Sequence, residues 1–146
     1  MATQATSDSP GYDLRLTPRG DHLQVNVSGD IDAQAVRIAY WRQIAEEAKA
    51  RGQRKLLVHD RRKRVPATPV ELAELAQLLR DEAPHFDRVA VVEPTPEFLP
   101  AVEHAEILGQ AEGINVRIFI DAAQAVRWLR YGSPDDDPEG GLAGTH

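Results

Sequence analysis

Four consecutive cations follow a short apolar segment of the chain. Residues 56–60 are typical of a buried β-strand, and the cations come directly after it: Arg61, Arg62, Lys63 and Arg64. Clustered guanidinium groups pair with carboxylates and phosphates through forked hydrogen bonds. Parallel sheets usually bind ligands at the carboxyl ends of their strands. The sequence therefore predicts a partner- or anion-binding surface that begins at Asp60.

Two further polar residues are assigned to this predicted surface. Thr68 closes the cationic loop, and Thr68-Pro69-Val70-Glu71 matches a capping box with proline at the first helical position. Thr68 is therefore interpreted first as a helix N-cap. Glu93 follows an apolar strand and brings a carboxylate to the same edge as Asp60. A hydrolase using Asp60 or Glu93 is a third alternative, but no nucleophile or oxyanion site accompanies these acids, so no catalytic residue is assigned.

Other common chemistries find little support in the sequence. The chain has no cysteine, which excludes thiolate nucleophiles and Cys-based metal sites. Its histidines lack the spacing that would place two ligands on one helical face, and no glycine-rich phosphate loop is present. His59 and Asp60 point to opposite faces of a strand, so His59 is interpreted as structural. We expect no metal and no cofactor.

The net charge of −6 conceals an uneven distribution. Asp8 and the acids of the segment 133–146 lie outside the predicted fold, which leaves the body of the chain nearly neutral around its one cluster of cations. That cluster lacks interleaved aromatic residues, which argues against single-stranded nucleic acid. An acidic protein partner fits it better.

Apolar spacing predicts nine secondary-structure elements in the order ββαβαβαβα. Alternation at 14–16 and 23–27 indicates a β-hairpin, and apolar residues at fourfold spacing from Val36 indicate the first helix. The helix after Thr95-Pro96 should have a short first turn, because Pro100 would interrupt a continuous one. The pattern predicts an α/β fold with a single mixed five-stranded sheet and about four helices. Its first strand is antiparallel and the others are parallel.

The chain of 146 residues fits one domain. Residues 11–132 should form it. Residues 1–10 and the acidic tail 133–146 are predicted to be disordered, because they offer few large apolar groups. No apolar run is long enough for a membrane helix, and the N-terminus lacks an export signal. A cytoplasmic location is therefore expected.

Several segments together resemble the SpoIIAA-like proteins, a bacterial branch of the STAS-related fold that is often grouped with CRAL-TRIO lipid-binding domains. The resemblance covers residues 12–131. It rests on the following segments: Val27-Ser28-Gly29-Asp30-Ile31, the strand ending at Asp60, Arg88-Val89-Ala90-Val91-Val92, Val116-Arg117-Ile118-Phe119-Ile120-Asp121 and Ala125-Val126-Arg127-Trp128-Leu129.

The resemblance implies a non-enzymatic regulatory or protein-interaction module, and a homodimer is compatible with it. In STAS proteins that antagonise anti-sigma factors, the loop after the central strand carries a phosphorylatable serine and binds a partner protein. The corresponding loop here, residues 61–68, has no serine. We therefore expect a permanently cationic docking surface.

A carrier of a small apolar or lipid-like ligand is the alternative function. The ligand would occupy a cleft between the helices and the sheet. Leu78, Phe98 and Trp128 are the residues predicted to line that cleft.

Overall fold

The computed structural model describes residues 5–9, 12–29, 33–61 and 67–132, and within 5–9 it describes the backbone. The strands are β1 (Ala5–Ser9), β2 (Tyr12–Pro18), β3 (Leu23–Ser28), β4 (Lys55–Asp60), β5 (Arg88–Val92) and β6 (Val116–Phe119). The helices are α1 (Gln34–Ala50), α2 (Pro69–Leu79), α3 (Leu99–Ala111) and α4 (Ala122–Tyr131). Short 3₁₀ segments, Arg80–His85 and Pro96–Phe98, follow α2 and precede α3.

The strands form one mixed sheet in chain order, from β1 to β6. The predicted α/β class and the four helices are confirmed. The five predicted strands, β2 to β6, lie in this sheet, with β2 antiparallel to β3 and the later pairs parallel. The short turn before Pro100 is also confirmed, because a 3₁₀ segment precedes α3.

The prediction of disorder for residues 1–10 is wrong at residues 5–9. These residues form β1, which pairs antiparallel with β2 and places Ala5 opposite Leu16. Strand pairing uses backbone groups, so a polar segment can extend a sheet without adding to its core. The predicted disorder of the tail 133–146 lies outside the described residues.

The sheet separates two apolar layers. Neighbouring parallel strands follow one another in the chain, so right-handed crossovers place α1, α2 and α3 on the same face. Leu14, Val25 and Val58 belong to the core on that face. Helix α4 returns across the opposite face, where Trp128 and Leu129 pack with residues of β4 and β5. Because side chains alternate along a strand, consecutive residues of β4 serve different layers.

The outer edge of the sheet at β6 is capped by side chains of α3. Gln110 Nε2 donates to the carbonyl oxygen of Val116 at 3.0 Å, and Glu106 Oε2 accepts from the backbone N–H of Ile118 at 3.1 Å. A Cβ at Gly109 would lie 2.7 Å from Val116 Cγ1, so glycine allows α3 to approach this closely. These side chains replace the hydrogen bonds that another strand would make.

Candidate functional site

A partly enclosed cavity of about 160 Å³ lies between the sheet and the three crossover helices. Apart from Asp60, the side chains of the sheet that line it are aliphatic: Leu56, Val58, Val89, Val91, Val116 and Ile118. The helices contribute further apolar side chains, among them Ile44, Leu72, Leu75, Phe98 and Val102. The cavity is therefore suited to an apolar molecule.

Small residues on the helices create this space. Ala101, Ala105 and Gly109 recur every four residues along α3, so they share one helical face. All three line the cavity, and Ala76 of α2 and Ala45 of α1 line it too. Larger residues at Ala101 and Ala105 would fill part of this volume with side chains, whereas Gly109 allows the close approach of α3 to β6. The alanine spacing is the sequence signal from which the cavity could have been predicted.

Polar groups line one end of the cavity, at the carboxyl end of β4. The hydroxyl of Tyr40 donates to Asp60 Oδ2 at 3.0 Å, and both residues line the cavity. Arg37 also lines it and is only 7% exposed, and its Nη1 donates to Gln34 Oε1 at 2.6 Å. Asp60 thus lies at a candidate site, with Tyr40 and Arg37 as neighbours that the sequence analysis did not assign.

Arg61 lies on the face of the sheet opposite to Asp60. Its backbone N–H donates to the carbonyl oxygen of Val27 at 2.7 Å and continues the pairing of β4, so the alternation of faces extends to it. Its guanidinium donates to Asn26 Oδ1 at 3.2 Å and to His59 Nδ1 at 3.3 Å. Asp60 and Arg61 therefore do not form one surface as predicted. The predicted site residues Arg62, Lys63 and Arg64 lie outside the described residues.

His59 takes part in this polar cluster rather than in the core. Burial lowers its pKa below the ordinary 6.5, the nearby charge of Arg61 lowers it further, and Asp60 partly opposes the shift. The imidazole is therefore neutral at pH 7. Sequence spacing does not reveal this arrangement, because Asn26, His59 and Arg61 meet only through strand register.

Thr68 caps α2, as predicted. Its Oγ1 accepts from the backbone N–H of Glu71 at 3.2 Å, and its own backbone N–H donates to Glu71 Oε1 at 3.0 Å. The capping box is therefore complete. The Thr68 hydroxyl oxygen is therefore used as the N-cap acceptor of α2.

Glu93 does not belong to an accessible surface, contrary to prediction. It is 2% exposed, and its carboxylate accepts from the backbone N–H of Thr95 at 3.1 Å. Its own backbone N–H donates to the carbonyl oxygen of Phe119 at 2.7 Å. A side chain so completely buried organises the turn between β5 and α3 and cannot meet a docking partner.

Only one of the three predicted pocket residues lines the cavity. Phe98 does. Leu78 is 39% exposed, because Leu72, Leu75 and Leu79 occupy the inner face of α2. Trp128 is buried in the other layer, where its ring centroid lies 5.7 Å from that of Phe119. The assignment of Trp128 was wrong because α4 crosses the opposite face of the sheet.

Within residues 5–9, 12–29, 33–61 and 67–132, no group of three or more acidic or histidine side chains could hold a metal ion. None of the helices in these ranges combines the length and apolar character needed to cross a membrane. A scan against protein-family models finds no match, and a search of the curated proteins finds no relative. The SpoIIAA-like resemblance stays a prediction.

Proposed function

We propose that the protein is a non-enzymatic binding module that holds a small apolar ligand between its sheet and helices α1, α2 and α3. The observation that carries this proposal is the apolar cavity of about 160 Å³. Cavities of about 150 Å³ lined by Leu, Ile and Phe stay dry and bind single-ring ligands such as benzene. A molecule of one ring, or a short branched acyl chain, matches this volume.

The energetic cost of an empty cavity supports ligand binding. Empty space beside apolar side chains destabilises a protein, because those side chains lose packing contacts. A ligand that fills the space restores the lost contacts. The chain maintains the volume with small residues on three helices, although larger apolar side chains would stabilise the fold.

The polar end of the cavity defines the ligand further. Tyr40, Arg37 and Asp60 place a hydroxyl, a guanidinium and a carboxylate at the boundary of an apolar volume. Ligand pockets commonly combine an apolar lining with a few polar groups that orient the ligand. We therefore propose a ligand with an apolar body and one hydrogen-bonding group at its end.

Native mass spectrometry tests this proposal. The protein is incubated with a panel of single-ring phenols, short-chain alcohols and short-chain carboxylic acids, and its mass is compared with that of the 16.1 kDa chain. We expect one-to-one adducts with the members that fit, and their loss on denaturation. If every member of the panel fails to form an adduct, the proposal is wrong.

A second proposed function is docking of an acidic protein partner through the cationic loop. Arg61 supports it, because its side chain is exposed at the carboxyl end of β4 and three more cations follow in sequence. Clustered positive charge accelerates association with an acidic surface. The predicted SpoIIAA-like resemblance would imply partner binding at this loop.

Charge reversal tests the docking proposal. We expect the double variant Arg62→Glu and Arg64→Glu to lose partners that the parent protein captures from cell extract, because it replaces attraction with repulsion. Arg42→Glu with Arg127→Glu is the matched control, since both residues are exposed on other elements. An identical captured set for the parent and the loop variant would exclude docking through this loop.

A further inference from the structure

Among the residues that the structure describes, the face of the sheet opposite to the cavity is only partly covered. Helix α4 packs against β4, β5 and β6. The side chains that β2 and β3 direct to this face include Arg15, which is exposed, and Asn26, which is half-buried. Strand register places Arg15 opposite Asn26, and Asn26 opposite His59. A row of polar side chains therefore crosses three strands beside α4.

The hydrogen bonds within this row determine which atoms carry protons. Arginine has only donors, so Asn26 must accept from Arg61 through Oδ1, and His59 must accept through Nδ1. Neutral His59 therefore carries its proton on Nε2. Asn26 presents the two N–H groups of its amide. Beyond the bonds within this row, Arg61, His59 Nε2 and Asn26 Nδ2 each have an N–H that can donate to a ligand.

The positive charge on this face of the sheet also favours an anionic ligand. Arg61 and Arg15 are cations, and Asp60 lies on the other face of β4. Asp13 shares this face; the register places it opposite Ser28, so its Cα lies two strand spacings, about 10 Å, from that of Arg61.

We infer that Arg61, His59 and Asn26 form a second binding site, whose ligand is a phosphate group. Arg61 offers charge-assisted donors and His59 and Asn26 offer neutral ones, a combination that suits an anion with several acceptor oxygens. The oxygens of a phosphate monoester can accept from all three side chains, with charge-assisted bonds to the guanidinium. The site lies across the sheet from the apolar cavity, so the two ligands would not compete for space.

Titration with inorganic phosphate in phosphate-free starting buffer tests this site. Two-dimensional NMR should show saturable shifts of three side-chain N–H signals: Arg61 Nε, His59 Nε2 and Asn26 Nδ2. We expect Arg61→Gln to weaken binding by about tenfold to a hundredfold, the usual effect of losing a charge-assisted hydrogen bond. Arg54→Gln is the control, because it removes the same charge from an exposed arginine that pairs with Asp87.

Asn26→Asp provides a second test that keeps the shape of the side chain. The new carboxylate can still accept from Arg61, but it replaces two donors with a negative charge, and phosphate binding should be abolished. If phosphate causes no saturable shift, or if Arg61→Gln binds as tightly as Arg54→Gln, the inference is wrong.

A phosphate group can belong to a soluble ester or to a lipid headgroup, and vesicles distinguish these sources. Phosphatidylcholine vesicles with phosphatidic acid are compared with phosphatidylcholine alone in a flotation assay. If the protein binds the acidic vesicles and Asn26→Asp abolishes that binding, the phosphate belongs to a lipid headgroup. Binding of inorganic phosphate without vesicle binding would assign it to a soluble phosphate ester.

Discussion

Ala105→Leu is expected to abolish binding of small apolar ligands and to raise the stability of the protein. Ala105 lines the cavity from the middle of the small-residue stripe of α3. A leucine there would occupy much of the volume that a ligand needs. Filling a cavity commonly adds about 0.5–2 kcal/mol to the free energy of unfolding. We expect an increase of that size in urea denaturation, together with loss of adducts in native mass spectrometry.

Whether Ala105→Leu raises or lowers the free energy of unfolding shows whether the space beside Ala105 is empty or already packed. If the space beside Ala105 were already filled, a larger side chain would cost about 1–3 kcal/mol through overpacking. Ala39→Leu is the matched control, because Ala39 is exposed on α1 and does not line the cavity. Destabilisation by Ala105→Leu, or unchanged ligand binding, would contradict the proposed site.

Trp128→Ala is expected to produce the largest loss of stability, about 3–5 kcal/mol, the usual range for truncating a buried tryptophan. The side chain is 4% exposed in the layer beneath α4. Arg88 and Arg117 lie near its ring, 5.9 and 5.7 Å from the centroid. Arg88 also donates to the carbonyl oxygens of Trp128 and Leu129. Truncation removes the packing of the ring, while the hydrogen bonds from Arg88 to these backbone carbonyls can remain.

Urea denaturation of Trp128→Ala and Tyr131→Ala checks this expectation. Tyr131 lies on the same helix but is 76% exposed, so its truncation should change stability by at most about 0.5 kcal/mol. Similar losses for the two variants would show that α4 does not form a buried layer. A folded fraction of Trp128→Ala should still bind apolar ligands, because Trp128 does not line the cavity.

Features set by neighbouring residues could be predicted from the sequence. The capping box at Thr68 needs only residues 68–71, and the split start of α3 follows from two prolines. The mixed sheet follows from strand periodicity and the length of the connections. Each of these predictions rests on a local rule, and tertiary packing is compatible with the structure that the rule predicts.

Features set by distant residues were harder to predict. Trp128 was assigned to the wrong layer because apolar spacing identifies a buried face of a helix without saying which side of the sheet it covers. Glu93 follows a strand as predicted, yet the turn to Thr95 folds over its carboxylate. The cluster of Asn26, His59 and Arg61 depends on strand register, which the pattern of apolar residues did not reveal.

Methyl NMR in the presence of benzene tests the central claim, that the space beneath α1, α2 and α3 binds apolar molecules. Benzene should shift the methyl signals of Leu75, Val91 and Ile118, which line the cavity, in a saturable way. The methyl signals of Leu129 and Val126, in the opposite layer, should remain unchanged. Absence of shifts at the cavity methyls, or equal shifts in both layers, would contradict the assignment of this cavity as the ligand site.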